Sequence, residues 1–190
     1  MKAILISIRP KHCCNILNLL KVLEIRKTMP KCKLPIDVYI YCTAEDKNGY
    51  LIRNRSTQKC EFTYNGFVKS VCWAGNRKVV AKFTLNKVEK ICPRDYISLS
   101  GHRTETLSHN DLLEKSCLTS EELGKYLKGN GYAWHIDNLE IFDRPKELSE
   151  FIKTTCKGCP FENTQTCKND IEGKLCRITK APQNYCFIEV

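Results

Sequence analysis

Strand-like segments follow one another in this chain with too few residues between them for helices to join most of them. Residues 2–8 read as a buried strand, which Arg9-Pro10 ends. Residues 12–20 place apolar groups at 13, 16, 17 and 20, a helical spacing. Residues 22–27 then switch to period two, with Leu23 and Ile25 on one face and Glu24 and Arg26 on the other, until Met29-Pro30. Residues 37–43 and 78–88 repeat the strand pattern, the second with Val79, Ala81, Phe83 and Leu85 on one side. Parallel pairing needs a crossover of a dozen or more residues, and most of these connections are shorter. The pattern therefore predicts an α+β fold built on a small mixed β-barrel flanked by helices, which fits better than a doubly wound sheet.

The remaining segments fit the same plan. Residues 44–76 are polar and turn-rich, and Asn48-Gly49 and Asn65-Gly66 are hairpin signals within what reads as an insertion. Residues 104–128 read as helical, with Thr119 and Glu122 spaced as a capping box and Gly129 as the stop. A strand over 132–142, kinked near Asp137-Asn138, precedes a short helix over 145–153. Residues 185–190 read as a closing strand. There is no internal repeat, P-loop or dinucleotide fingerprint. The domain boundaries expected are a body over 1–153 and a cysteine-rich tail over 154–190.

A chain of 190 residues suits one domain plus a small appendage. Its charge is uneven: of the formal net +10, residues 1–43 carry +6 and 44–103 carry +7, whereas 104–155 carry −4. A basic first half points to a polyanion, most simply RNA or another nucleic acid. Arg53, Arg55, Lys59, Lys69, Arg77 and Lys78 are the phosphate-contact candidates in and beside the insertion, with a solvated basic loop as the alternative. Trp73, Trp134, Tyr39, Tyr41 and Tyr132 are candidates for base stacking or for the barrel wall. His135, on a strand, either points into a cleft or is structural. No apolar run is long enough for a bilayer span or a signal-peptide core, so a cytoplasmic protein without membrane contact is expected.

Thirteen cysteines in such a compartment are core thiols, metal ligands or reactive groups rather than a disulfide framework. Cys13 and Cys14 lie in a helical pattern and read as core thiols. Cys156 and Cys159 form a C-x2-C pair, and Cys167 and Cys176 complete a set that suits tetrahedral zinc, in a segment with few large apolar groups; a redox dithiol, an ordinary loop and an iron–sulfur site are the alternatives. Cys186, in the closing strand, is either a substitute ligand or a core thiol.

Lys21, Glu24 and Arg26 stand where a helix gives way to a strand. Such a cluster can hold a phosphate or run acid–base chemistry, or be a surface salt bridge. Lys21 can serve as a base only if burial or a nearby cation lowers its pKa.

With Ser7-Ile8-Arg9-Pro10 before the helix, Lys21-x-x-Glu24-x-Arg26 resembles the ASCH domain, the activating-signal-cointegrator homology family. That family's motif is G-x-K-x-x-E-x-R, and this chain has Leu19 at the glycine position. Gly131-Tyr132-Ala133-Trp134-His135-Ile136, Pro145-Lys146-Glu147-Leu148 and Ala181 to Glu189 resemble a branch found in phages and Firmicutes. The resemblance covers most of the chain, least of all 44–76. It implies a PUA-like barrel with a cleft beside the first helix, in a superfamily that binds RNA or modified bases. Lys21, Glu24, Arg26 and Arg9, with Arg53, Arg55 and Lys78, are then the expected nucleic-acid contacts. One bacterial branch hydrolyses N4-acetylcytidine with a Lys, a Thr three residues later and a Glu on a later strand. These positions fall on Lys21, Glu24 and Thr84, so the Thr and Glu have exchanged places. Two functions follow as expectations: a nucleic-acid or modified-nucleoside binder, and an amidohydrolase acting on an N4-acylated cytidine-type nucleoside.

Overall fold

The computed structural model describes residues 1–44, 49–93, 102–154 and 177–190. Along the chain run β1 (Lys2–Ile8), α1 (Pro10–Leu17), β2 (Leu23–Arg26), β3 (Ile36–Cys42), β4 (Tyr50–Asn54), β5 (Cys60–Thr63), β6 (Val71–Ala74), β7 (Lys78–Leu85), β8 (Val88–Pro93) and β9 (His102–Arg103). After these come α2 (His109–Ser116), α3 (Ser120–Leu127), β10 (Gly131–His135), β11 (Asp137–Glu147), β12 (Ile152–Lys153) and β13 (Tyr185–Glu189). Among the described residues, three α-helices and several sheets make a mixed α+β fold. Among the described residues no helix is long and apolar enough to cross a membrane.

β1 is the axis of a six-stranded sheet ordered β11-β7-β3-β1-β13-β12. Its sequence has no polar face because it is covered on both sides. Ile4, Ile6 and Ile8 face one core with Val38, Ile40, Phe83 and Trp134, while Ala3 and Leu5 face a second with Tyr39, Val79, Phe142 and Ile188. β13 pairs antiparallel with β1, Ile4 opposite Phe187, and so supplies the closing strand. β1 and β3 are parallel, and α1 with β2 makes the crossover that this demands. The second sheet, ordered β2-β10-β8-β9, joins the first where β10 leads through Ile136 into β11. Its outer face buries Leu23, Ile25, Ile91 and Ala133 against Leu112 of α2 and Leu123 and Leu127 of α3. Residues of the insertion form a third sheet, β5-β4-β6, packed on α1.

Four elements differ from the sequence reading, one being the strand over 132–142, which divides into β10 and β11 in different sheets. The helix expected over 145–153 is strand instead: Lys146 pairs with Val79 and Glu147 with Lys78, leaving only a 3-10 turn at Leu148–Glu150. Sheet pairing to β7 outweighs the local helical pattern there. The single helix over 104–128 is two, because Cys117 adopts a left-handed conformation (φ 51°). Each half has its own capping box, Ser108 with Asp111 and Thr119 with Glu122. The strand over 78–88 likewise divides into β7 and β8, which belong to different sheets.

Candidate functional site

The site begins with β2. Leu23 and Ile25 are claimed by the core under α2 and α3, so alternation turns Glu24 and Arg26 to the opposite side. That side is not solvent. Lys21, Glu24 and Arg26 are 2%, 8% and 4% exposed, which excludes the surface salt bridge. Glu24 is the centre of the cluster. Its Oε2 lies 3.4 Å from Lys21 Nζ and its Oε1 lies 3.2 Å from Arg26 Nε. Lys21 also donates to the Ser116 carbonyl at 2.8 Å, one of the carbonyls that the end of α2 leaves open. The Arg26 guanidinium donates to the Ser7 carbonyl at 2.9 Å and the Asn184 carbonyl at 3.2 Å. It thereby ties β2 to the end of β1 and to the segment before β13. Two cations against one carboxylate leave the cluster net positive.

The cluster opens on a cavity of 660 Å³ beside α1. Arg9, at the helix N-terminus, lines it, as do His12, Thr43, Tyr126 and Gln183. Burial lowers the Lys21 pKa, Arg26 adds to this, and Glu24 opposes it. Burial and the Lys21 ammonium likewise lower His12, whose buried Nδ1 has no hydrogen-bond partner within the described residues. His12 therefore presents a neutral imidazole at neutral pH. The Thr43 hydroxyl is also buried without a hydrogen-bond partner within the described residues. Neither residue stood out in the sequence. The available signal for His12 was its place one turn after Arg9 on the same helix.

Of the residues expected in the site, Lys21, Glu24, Arg26 and Arg9 come together. Thr84 does not line the cavity. It lies on β7 between Asp37 and Asp137, on the face that Lys82 shares with Asp37 and Glu140. The threonine of the cleft is Thr43. Arg53 lies on β4 of the insertion sheet and Arg55 in the turn after it, and Lys78 pairs with Glu147 at 2.9 Å on the surface. His135 does not line the cavity either. Its Nε2 lies 2.7 Å from Glu89, whose other oxygen accepts from the Thr104 and Thr106 hydroxyls, each at 2.6 Å.

The expected stacking aromatics are structural. Trp134 is fully buried, Trp73, Tyr39 and Tyr41 are buried, and Tyr132 packs half-buried on the core. Cys13 and Cys14 are core thiols, and burial raises both, Cys14 to about 11, so neither is a thiolate at neutral pH. Cys156, Cys159, Cys167 and Cys176 lie outside the described residues. Cys186 is partly buried against the Ala3–Leu5 core. Among the described residues no cluster of His, Cys, Asp or Glu has the arrangement of a metal site.

No family model and no curated protein matches the chain. Solved structures do. A serine-to-alanine variant of ASCH from Zymomonas mobilis aligns with a TM-score of 0.50 at 13% identity, covering 98% of this chain and 88% of that one. The unsubstituted ASCH protein of that organism gives 0.46 at 14% identity over 77% of this chain and 73% of that one. The fold reached here from strand order and core is thus that of an ASCH domain.

Proposed function

We propose that the cleft beside α1 binds RNA or another nucleic acid through a base or modified nucleoside. The observation that carries this is the buried, net-positive Lys21–Glu24–Arg26 cluster opening on a cavity of nucleoside size. Lys21 and Arg26 are fixed by backbone carbonyls, so they present charge without a further ordering cost. Arg9 at the rim is placed for a phosphate. Affinity should fall with salt, by about 0.7 in log K per log salt for each phosphate contact to a single strand.

A second reading has its own support. The lowered Lys21 pKa, together with Glu24 and the Thr43 hydroxyl, which has no hydrogen-bond partner within the described residues, brings a Lys, a Glu and a Thr to one cavity as in the N4-acetylcytidine hydrolases, with Glu24 at their threonine position and Thr43 just past β3. In an amide hydrolysis there, neutral Lys21 would take a proton from water as it adds to the acyl carbon. The C–N bond then breaks, the proton passes from Lys21 to the leaving exocyclic amine, and free cytidine is released with the carboxylic acid, which ionises to carboxylate by giving its proton to solvent.

A nucleoside panel, with Lys21→Ala as control, separates the two. If the cleft only binds, Lys21→Ala weakens binding, and wild-type affinity declines as rising pH discharges Lys21. If it turns substrate over, the rate rises with pH through the same ionisation and vanishes in Lys21→Ala. A panel with neither binding nor turnover at low salt overturns both. For the tail, we infer structural zinc on Cys156, Cys159, Cys167 and Cys176, supported by their spacing in a core-poor segment.

A further inference from the structure

Of the four exposed aromatics among the described residues, Tyr126 lines the cleft at 39% exposed, and the other three lie together away from it. They gather around the tip between β5 and β6. Tyr64 and Phe67 are each 74% exposed and Tyr50 is 36% exposed. Three such rings, in the β5–β6 connection and at the adjoining start of β4, are unusual for side chains that gain by burial. They are also held in place. Tyr64 stands edge-on to Phe62 with ring centroids 5.0 Å apart. The Gly66 turn (φ 69°) lies against the Tyr50 ring, where a Cβ would be 3.4 Å away. The Asn65 side chain accepts from the Phe67 amide at 3.0 Å and from the Thr63 hydroxyl at 2.5 Å.

The opposite end of the same sheet is basic. Arg55 and Lys59 sit in the β4–β5 turn, and the Arg55 amide donates to the Ser70 carbonyl at 2.7 Å, which brings Lys69 to that end. All three side chains are exposed. Glu61 is the one acidic residue of 49–77, and it is held by Asn54 at 2.7 Å. Tyr64 stands at one end of β4 and Arg55 and Lys59 at the other, roughly 14 Å away at strand rise, while Phe67 and Lys69 lie on the segment that runs between the two ends.

We infer that this sheet is a docking surface for a single-stranded polynucleotide, whose bases stack on Tyr64 and Phe67 while its phosphates meet Arg55, Lys59 and Lys69. Stacking tolerates any base and basic residues track the backbone, so the surface selects a strand and not a sequence. The inference rests on the nucleic-acid reading of the cleft but uses none of its residues. It extends that reading by making the ligand a polymer, because a free nucleoside cannot reach both ends of the sheet.

The test measures fluorescence anisotropy of the full chain with a labelled oligoadenylate on the order of ten nucleotides, its deoxy counterpart and the duplex. Phe67→Ala and Tyr64→Ala should each weaken single-strand binding roughly tenfold or more, with Phe67→Tyr retaining it. Replacing Arg55, Lys59 and Lys69 together by Ala should flatten the salt dependence by about 2 in slope. Circular dichroism guards against misfolding, to which these exposed positions should be insensitive. Lys21→Ala serves as the separating control. Loss with the tip variants but not with Lys21→Ala supports the surface and counts against the cleft, whereas the converse overturns the surface. Duplex binding as tight as single-strand binding overturns it too. So does a tip double variant that only dissociates a dimer in sedimentation, since the rings would then serve a second copy of this chain.

Discussion

Leu19 shows how a single residue records a fold. The turn from α1 to β2 needs a left-handed residue, and Leu19 adopts φ 60° with its side chain 68% exposed. A Cβ in that region costs about 1–2 kcal/mol, part of which glycine would return as unfolded-chain entropy. Leu19→Gly should therefore stabilise the protein by about 0.5–1 kcal/mol in urea unfolding and leave cleft binding unchanged. A destabilised variant would mean that the exposed leucine packs on something. Glu24 is the opposite case. Glu24→Gln leaves Lys21 and Arg26 buried without a counter-charge, and a loss of about 3–5 kcal/mol is expected. Lys21→Met should cost less, since it removes a charge whose burial already opposes folding. Because the Lys21 pKa is lowered on folding, its ammonium costs stability below that pKa. Wild-type stability should gain as pH rises from there toward the free value of 10.5, and Lys21→Met should lack this gain.

At the scale of elements, backbone pairing between β8 and β10 is reinforced by a polar knot. Glu89 is 4% exposed, yet it receives Thr104, Thr106 and His135, with Lys87 Nζ 2.9 Å away. Burial alone would raise this carboxyl, but the four partners together hold it well below the usual carboxylate range. A folded pKa below the unfolded 4.5 means that the stabilisation is complete above about pH 4.5 and drains away as the solution is acidified further. Glu89→Gln should cost about 1–3 kcal/mol at neutral pH and flatten the acid limb of a stability–pH curve. An unchanged acid limb would show that other carboxylates govern acid unfolding. The knot was not legible in the sequence, because Glu89, Thr104 and His135 meet only once β10 has paired with β8. Local elements read better. The Thr119–Glu122 box marked the start of α3, since capping needs only neighbours. β2 was legible as alternation, but its second face reads as polar and therefore wet. Only the closure of α1, Tyr126 and residues 181–183 over Glu24 and Arg26 makes that face a buried site.

For the whole molecule, the decisive question is how the cysteine-rich tail relates to the body. The described residues on either side of 155–176 are clamped together. Ile152 bridges Arg177, the Ile178 amide donates to the Phe151 carbonyl at 2.9 Å, and Ile178 is fully buried. β13 then seals the six-stranded sheet through its own backbone pairing to β1 and β12. The described body is thus held by these hydrogen bonds and apolar burial, and the four thiols fall in the sequence between its clamped ends. Purified protein should carry about one zinc per chain by elemental analysis if the four thiolates form a tetrahedral site. Cys159→Ser should then lose the zinc, and chelation should open 155–176 to proteolysis. The same treatments should leave the main thermal transition near its original temperature, because β13 is held by its pairing to β1 and β12 and Ile178 by its burial in the body. Collapse of that transition on chelation would instead make the metal part of the body's own core, with the clamp a consequence of the site. Zinc-free protein with an unchanged protease pattern would leave the tail cysteines without a structural metal role.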